Sequence, residues 1–387
     1  MLKAAILSIS LLTIMASAAI SPALGIIAAA FPHADAMLIR LIVTLPSMTI
    51  IPASLMSARL TRVMKKRTIL FIGLVLYMAG GVGGGLVSSM DLILVMRGIL
   101  GIGVGLLMPV STALVSDFFK GDEAAKMTGW VTASNNLGGI IAVILSGWLA
   151  SFCWRYSFFV YFLALVAAVF VVFFLPEPER QALRQKTDDK LPPVTYLAAG
   201  AAFAMMTVFY VLPTNIALFI KESGLGNAKT AGLALALVTG FAFVSGSLFS
   251  KTQGHLRHLM ATVQMSLMAA GFFLLSGNPS LPLVFLAVSL IGASFGNLYP
   301  MILLLVVHGV PRAQNTKAMA VVSIFLFSGQ FFSPLFFGAL EHLAPNPGIP
   351  VIFVTAAGLS GGAALLFLVK AFRDTRSAVA GDRPQHP

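Results

Sequence analysis

Residues 97–109 read Arg97-Gly98-Ile99-Leu100-Gly101-Ile102-Gly103-Val104-Gly105-Leu106-Leu107-Met108-Pro109. One arginine stands at the start of an otherwise apolar run in which glycine recurs at positions 101 and 105. Glycines four residues apart lie on one face of a helix and allow a second helix to approach closely. A guanidinium within a membrane is unfavourable unless it is paired or hydrated. The stretch therefore predicts a tightly packed membrane-spanning helix in which Arg97 has a structural or functional partner.

The rest of the chain has the same apolar character. Its 387 residues are 58% hydrophobic and 10% charged, whereas soluble proteins average about 25% charged residues. A bilayer is crossed by about 20 apolar residues in a helix, and this length identifies twelve candidate spans. The sequence thus predicts an all-α polytopic membrane protein with twelve transmembrane helices, at 4–30, 37–57, 68–89, 92–116, 125–150, 154–175, 194–220, 229–250, 259–277, 282–307, 317–341 and 349–372.

Basic residues fall mostly on one side of this topology. If both termini are cytoplasmic, twenty of the 25 lysines and arginines lie in cytoplasmic segments and three lie outside, while Arg40 and Arg97 lie within spans. Positive charge accumulates on the cytoplasmic side of membrane proteins. The sequence therefore predicts a multi-pass protein of the cell membrane with both termini cytoplasmic. The net charge of +12 then belongs to the cytoplasmic face, and no nucleic-acid partner is expected.

A polar stretch with prolines at both ends separates six spans from six. An offset of 191 residues superposes Pro22 on Pro213 and Gly101 on Gly292. Such a parallel repeat predicts two pseudo-symmetric bundles with substrate bound between them near the bilayer midplane. A signal peptide is the alternative for the first span, but the repeat includes that span. The predicted organisation is an N-terminal six-helix bundle at 1–175, a cytoplasmic linker at 176–193, a C-terminal six-helix bundle at 194–372 and a cytoplasmic tail at 373–387.

Several motifs resemble those of the major facilitator superfamily, and the resemblance covers nearly the whole chain. Residues 97–105 resemble the family pattern R-x-x-x-G-x-x-x-G, and Trp154-Arg155-Tyr156-Ser157-Phe158 resembles the corner between its fifth and sixth spans. Span 5 resembles the antiporter motif only in part, because Ala142-Val143 stand where Gly-Pro is usual. The resemblance implies a secondary active transporter that works by alternating access. It also implies a role for Arg97 in proton transfer; the alternative is that Arg97 pairs with backbone carbonyls and holds the bundle together.

The loop after span 2 resembles the family motif G-x-L-a-D-r-x-G-r-r but departs from it. Ala58 replaces the first glycine, and residues 57–67 contain no aspartate. In the family that aspartate helps to latch the outward-open state, so the resemblance implies a latch that is weakened or built differently here. A loop that sets orientation and binds anionic lipid is the alternative. The candidate latch residues are Arg59, Arg62, Lys65, Lys66 and Arg67.

Coupled transporters usually hold a titratable carboxylate within the membrane, yet these spans place none of the thirteen acids near the midplane. If protons drive the cycle, the best carrier is Asp35 at the outer start of span 2, modulated by Arg40 or Arg97, and Glu222 is the second candidate. A solvated carboxylate of an outer loop is the alternative for Asp35. Two embedded arginines without embedded acids also suit an anionic or zwitterionic substrate.

Polar residues at suitable depth complete a candidate substrate cavity, and phenylalanine and methionine supply the rest of its lining. Hydrogen bonds between helices are the alternative role for such residues. The cavity candidates are Arg40, Asn135, Asn136, Asn215, Asn297, Tyr299 and Gln330.

The resemblance to the superfamily and an interior rich in phenylalanine and methionine favour proton-coupled efflux of amphipathic drugs or metabolites, whereas the incomplete motif of span 5 counts against export. Uptake or exchange of a small organic anion recognised by the embedded arginines is the alternative, and a membrane receptor or enzyme is a further one. The single cysteine, Cys153, and the scattered histidines do not form a metal-ligand pattern, so neither a metal nor a cofactor is expected. The expected partners are a small-molecule substrate, protons or another coupling ion, and membrane lipid, and the chain is expected to act as a monomer.

Overall fold

The computed structural model describes residues 1–177, 190–311 and 314–381, which contain helices and no β-strand. Twelve helices are long and apolar enough to cross a membrane, and the predicted number is confirmed. Their bounds are Leu2–Ala30 (α1), Ala36–Leu60 (α2), Lys66–Leu86 (α3), Met90–Phe118 (α4), Gly121–Ala150 (α5), Trp154–Phe174 (α6), Pro193–Glu222 (α7), Ala228–Ser247 (α8), Phe249–Ser276 (α9), Leu281–Gly309 (α10), Asn315–Leu343 (α11) and Ile349–Gly381 (α12).

The predicted linker and tail are described only in part. Residues 178–189 of the linker and 382–387 of the tail lie outside the described residues. The last helix continues to Gly381, beyond the predicted end of its span at 372. The segment between the predicted spans 229–250 and 259–277 is polar, and the structure is helical over Phe249–Leu256. Hydropathy identifies only the part of a helix that lipid can solvate. Backbone hydrogen bonding continues α9 and α12 into polar sequence beyond that part.

An even number of spans places both termini at one end of the bundle. We call this end, which holds Leu2 and the loop at 61–65, the terminal face. The opposite end, which holds the loops at 31–35 and 223–227, is the distal face. We call α1–α6 the N-half and α7–α12 the C-half. Odd-numbered helices therefore run from the terminal face to the distal face, and even-numbered helices run back.

One helix in each half is interrupted at a position related by the repeat. In α1 a 3-10 turn at Ser21–Ala23 contains Pro22, and α7 is interrupted at Tyr210, three residues before Pro213. Proline lacks an amide hydrogen and its ring crowds the preceding turn, which explains an interruption at each place. Pro22 and Pro213 are separated by the 191-residue offset.

Glycines related by the same offset make equivalent close contacts. Gly101 of α4 lies against the backbone of Pro46 in α2, and Gly292 of α10 lies against the backbone of Val238 in α8. A Cβ atom at either glycine would overlap the facing backbone, so only glycine permits this approach. The two halves therefore pack these helix pairs by the same rule.

The halves meet between the middle of the spans and the distal face. α5 crosses α8 so closely that a Cβ on Gly147 would lie 2.5 Å from the Ala228 carbonyl oxygen. α1 meets α7, where Lys221 Nζ donates a 2.8 Å hydrogen bond to the Gly25 carbonyl oxygen. α2 packs against α11. These three helix pairs join the halves at the distal face.

The fifth helix crosses this junction without a break. Ala142 and Val143, which stand at the Gly-Pro place of the family motif, are buried. The Val143 carbonyl oxygen faces Gly232 of α8, where a Cβ would lie 2.6 Å away. Because neither residue is a proline, α5 has no kink of the proline type at this crossing.

Candidate transport site

Arg97 is enclosed within the N-half, at 0% exposure. Its Nε atom donates a 2.6 Å hydrogen bond to the Ile42 carbonyl of α2, and its Nη2 atom donates one of 2.9 Å to the Ala16 carbonyl of α1. Its Nη1 atom donates a 2.6 Å hydrogen bond to the Tyr161 hydroxyl of α6. One guanidinium thus joins α4 to three other helices of the same half.

A proline within α2 and the interruption of α1 leave these carbonyl groups free to accept. Pro46 has no amide hydrogen to donate to the Ile42 carbonyl four residues earlier in α2. The Ala16 carbonyl belongs to the last turn of the first segment of α1, which ends at Ala18, and such terminal carbonyls lack partners within the helix. The sequence therefore places two unbonded acceptors where the guanidinium of Arg97 needs them.

Two tyrosines extend the buried network. The Tyr161 hydroxyl donates a 2.8 Å hydrogen bond to the Ala16 carbonyl, and the Tyr77 hydroxyl of α3 donates one of 3.1 Å to the Leu12 carbonyl. Their rings meet edge to face with centroids 5.6 Å apart. Among the described residues the hydrogen-bond partners of Arg97 are carbonyls and a hydroxyl, not a carboxylate. The geometry matches the alternative in which Arg97 holds the bundle together.

Arg40 lies near the distal end of α2 and pairs with an acid of the other half. Its Nη1 atom is 2.7 Å from Glu341 Oε2 of α11, and the two side chains are 4% and 14% exposed. Arg40 is therefore matched by an acid from the outer end of another span and not by Asp35, because folding brings together residues 301 positions apart. With Arg97 enclosed and Arg40 paired, neither guanidinium is free for an anion in this conformation.

Two further charged residues lie beside this pair at the end of α7. Glu222, an exposed side chain, interacts electrostatically with Arg40, Glu341 and Lys221. Lys221 also donates the hydrogen bond to Gly25 of the N-half. We call Arg40, Lys221, Glu222 and Glu341 the distal charge cluster. Its two cations balance its two anions when all four groups are ionised.

Asp35 occupies the N-cap position of α2. Its Oδ1 atom accepts a 2.7 Å hydrogen bond from the Met37 backbone amide, and its side chain is exposed. A carboxylate at this position satisfies an amide that the helix leaves unbonded. The placement fits the alternative of a solvated outer carboxylate, and Arg40, the suggested partner of Asp35, is paired with Glu341 instead.

Two of the uncharged cavity candidates are buried in helix packing. Gln330 of α11 accepts a 2.6 Å hydrogen bond from the Ser47 hydroxyl of α2, so it lies at the junction of the halves. Asn215 of α7 is 1% exposed and donates to the Val211 carbonyl and the Thr214 hydroxyl. Gln330 therefore links two helices in this conformation, whereas the hydrogen bonds of Asn215 stay within α7.

The other three asparagine candidates lie on two helices, two of them on α5 and one on α10. Asn136 of α5 donates a 2.9 Å hydrogen bond to the Thr132 carbonyl of its own helix. Asn135 of α5 and Asn297 of α10 each have a buried side-chain oxygen without a partner among the described residues. The structure distributes these candidates over two helices and does not show them meeting in one polar pocket.

An aromatic cluster lies beside the interruption of α7. The rings of Phe209 and Phe295 stack with centroids 3.9 Å apart and an interplanar angle of 16°. Tyr299, one turn further along α10, is nearly parallel to Phe295 at 6.3 Å and is 38% exposed. The Tyr210 hydroxyl donates a 3.4 Å hydrogen bond to Ser17 Oγ of α1. We call Phe209, Tyr210, Phe295 and Tyr299 the aromatic cluster, and it reaches from the C-half to α1.

The basic loop between α2 and α3 makes its described contacts within the N-half. Lys66 Nζ lies 2.6 Å from Asp117 Oδ2 at the end of α4, and the Lys66 amide donates a 2.7 Å hydrogen bond to Glu177. Arg67 donates to the Val172 carbonyl of α6. A carboxylate at the N-terminus of α3 also complements the helix dipole. The remaining latch candidates, which are exposed at the terminal face, are Arg59, Arg62 and Lys65.

Twelve helices able to cross a membrane, in two halves that meet at one face, define a polytopic membrane protein. Over the part of the chain that is described, no group of three or more histidine, cysteine or acidic residues could hold a metal ion. The model of the Major Facilitator Superfamily matches residues 6–334, and this chain belongs to that superfamily. The resemblance of its motifs is thereby confirmed. The protein is a multi-pass membrane transporter and not an enzyme.

Two proteins similar to this chain in sequence are multidrug transporters of Bacillus subtilis (strain 168). The Multidrug transporter protein MdtP is 29% identical over 129 residues, which cover 33% of this chain and 23% of MdtP. Multidrug resistance protein 2 is 28% identical over 168 residues, which cover 40% of this chain and 42% of the relative. The chain thus matches less than half of the length of each relative.

Solved transporter structures share the whole fold. A POT family transporter in complex with 5-aminolevulinic acid has a TM-score of 0.77 at 13% identity, with 96% of each chain covered. The inward open conformation of the xylose transporter XylE from E. coli has a TM-score of 0.73 at 15% identity, with 95% of this chain and 96% of XylE covered. At such identities the likeness shows the fold alone.

Proposed function

We propose that the protein exports amphipathic aromatic compounds in exchange for protons, by alternating access between halves that comprise residues 1–175 and 194–372. It acts as a monomer in the cell membrane with both termini cytoplasmic. The bias of basic residues toward the terminal face supports this orientation, and the names of the B. subtilis relatives support drug export. In this orientation a closed distal face is the inward-facing arrangement.

The aromatic cluster is the observation that carries the proposed substrate class. Tyr299 is 38% exposed while its ring is nearly parallel to that of Phe295. A planar substrate can therefore continue the stack of rings. Stacked aromatic pairs are stabilised beyond what the burial of their apolar area contributes. The four residues of the cluster carry no formal charge at neutral pH, so binding relies on aromatic surface and does not require a charged substrate.

The cluster also lies where movement of the halves would alter it. Phe209 immediately precedes the interruption of α7 at Tyr210, and Tyr210 contacts Ser17 near the interruption of α1. Discontinuous helices at corresponding places in two repeats mark the binding site in many transporters. Separation of α1 from α7 would break the Tyr210–Ser17 hydrogen bond and change the access of substrate to the cluster.

Transport of a planar fluorescent acridine into proteoliposomes under an imposed proton gradient tests the proposal. We expect Tyr299→Ala to raise KM by roughly 2- to 12-fold, since an aromatic pair contributes about 0.5–1.5 kcal/mol, and Tyr299→Phe to retain the wild-type KM. Phe273→Ala is the matched control, because Phe273 on α9 is 69% exposed and lies outside the cluster. An unchanged KM in Tyr299→Ala would contradict the proposed site, and proton-independent movement of organic anions alone would favour the anion transporter.

A further inference from the structure

The ion pair between Arg40 and Glu341 joins the two halves directly. Arg40 belongs to α2 of the N-half and Glu341 to α11 of the C-half, with 2.7 Å between the charged atoms. Gly338, one turn before Glu341, lies beside the guanidinium, since a Cβ there would be in ordinary contact with Arg40 Nη1 at 4.0 Å. The distal face cannot open between α2 and α11 while this pair is intact.

The pair is nearly enclosed but incompletely bonded. Its side chains are 4% and 14% exposed. Arg40 Nε and the Thr44 hydroxyl one turn away are buried without a hydrogen-bond partner among the described residues. Loss of one partner from a buried ion pair leaves the other charge uncompensated and is strongly destabilising. The closed distal face therefore depends on the ionised form of Glu341.

The other charges around Glu341 come from its own helix and from α7. His342 is its exposed neighbour on α11, and Lys221 and Glu222 end α7. The distal ends of α10, at 281–290, and of α12, at 349–358, contain no ionisable residue. In the distal loop of the N-half, His33 and Asp35 are exposed. Glu341 is thus the most enclosed acid at this junction.

We propose that Glu341 is a proton-binding site of the transport cycle and that its ion pair with Arg40 locks the distal face; this rests on the proton-coupled transport proposed above. One proton from water at the distal face joins a carboxylate oxygen of Glu341, and Arg40 keeps its own proton, so the charge of the distal cluster rises by one. The unpaired guanidinium is then stabilised by separation of α2 from α11, which hydrates it.

The sign of the pH dependence follows from this exchange. The pair stabilises the closed distal face while Glu341 is ionised, and that stabilisation is lost as the pH falls and the carboxylate is protonated. Lower pH at the distal face therefore favours opening at that face. Loss of this proton towards the terminal face, which the proton exchange proposed above requires, restores the pair and closes the distal face.

Spin-label distances across the distal face test the lock without a substrate. In a Cys153→Ser background, His33→Cys and Asn346→Cys place labels on exposed loops of the two halves. For the parent protein we expect the population with a long distance to grow about tenfold from about pH 7 to about pH 4, a range that includes the ordinary pKa of about 4.3 of a glutamate carboxyl. Glu341→Gln should show the long distance at both pH values.

Three further variants separate Glu341 from its surroundings. His342→Gln should keep the pH response, because the neighbouring imidazole is not the sensor. Asp91→Asn, which changes an exposed acid at the distal start of α4, should behave like the parent. The double exchange Arg40→Glu with Glu341→Arg should recover the short distance at high pH, which covers the case that Glu341→Gln does not fold.

A parent-like pH response in Glu341→Gln, or a response abolished by His342→Gln alone, would overturn the proposal. Because the labels report conformation in the absence of transport, this outcome is independent of substrate class. An intact Glu341-dependent response together with failure to move any aromatic compound would contradict the proposed export function and still support the lock.

Discussion

The Ser47 hydroxyl of α2 donates a 2.6 Å hydrogen bond to Gln330 Oε1 of α11, so a polar contact joins these two helices of the two halves deep within the spans. Both side chains are buried, and Gln330 Nε2 lies 3.8 Å from the Met206 sulfur of α7. Gln330 is therefore a residue of the junction as well as a candidate for the cavity. Opening between α2 and α11 must break this bond in addition to the Arg40–Glu341 pair.

Gln330→Leu should weaken the closed arrangement of the distal face. A typical intramolecular hydrogen bond contributes about 0.5–1.5 kcal/mol, so the open population should rise by roughly 2- to 12-fold. The spin-label pair at positions 33 and 346 measures this shift at constant pH. Ser328→Ala is the control on the same helix, because the Ser328 hydroxyl bonds to the Ile324 carbonyl within α11. Equal distance distributions in Gln330→Leu and Ser328→Ala would show that the Ser47 contact does not hold the halves.

Tyr161→Phe should lower thermal stability and leave proton-driven transport in place. The hydroxyl that is removed accepts from Arg97 Nη1 and donates to the Ala16 carbonyl. Arg97 Nη1 therefore loses its partner in a buried site, while the carbonyl keeps the bond from Arg97 Nη2. We expect a loss of about 1–3 kcal/mol in the free energy of unfolding. Tyr156→Phe is the control, since Tyr156 is 45% exposed.

Unfolding in detergent and transport in liposomes separate the two roles considered for Arg97. A Tyr161→Phe protein with unchanged stability and lost proton dependence would favour a coupling role for this network. Reduced stability with retained proton dependence would favour the structural role that its hydrogen bonds indicate.

Gly232→Ala should shift the protein away from the closed distal face, because α5 and α8 touch at this glycine. A Cβ at Gly232 would lie 2.6 Å from the Val143 carbonyl oxygen and 3.4 Å from Gly147 Cα. The helices must separate to accommodate it, and the distal spin labels should report a longer distance. Gly240→Ala on the same helix is the matched control, because no atom lies within 4 Å of a Cβ placed there. Parent-like distances in Gly232→Ala would mean that the helices absorb the methyl group without moving apart.

The spans and the repeat could be predicted because each depends on local composition or on one fixed offset. Gly138 and Gly329 illustrate the second case: they are 191 residues apart, and each packs against backbone, at Leu11 of α1 and at Phe203 of α7 respectively. Glycine at corresponding positions records a close helix approach directly in the sequence. The predicted ends of the spans differ more from the structure. For example, α12 continues into polar sequence beyond its predicted end at 372.

The partners of the charged residues could not be predicted in the same way. Glu341 lies at the end of an apolar span, so the sequence indicates only an acid at the outer end of a helix. The packing of α11 against α2 brings it to Arg40. For Arg97 one signal was present, since Pro46 frees the Ile42 carbonyl four residues earlier. In the aromatic cluster, the four-residue spacing of Phe295 and Tyr299 indicates one face of α10.

Asp35 is expected to cap α2 and not to carry the coupling proton. Because its side chain caps α2 through the Met37 amide, and asparagine is an equally good cap, Asp35→Asn should be nearly neutral for stability. Asp35→Ala should destabilise the protein by about 0.5–2 kcal/mol. Proton-driven acridine transport should continue in both variants at a rate per folded molecule equal to that of the wild type. A stable Asp35→Asn protein that binds acridine but no longer responds to the proton gradient would establish Asp35 as the proton carrier and would remove that role from Glu341.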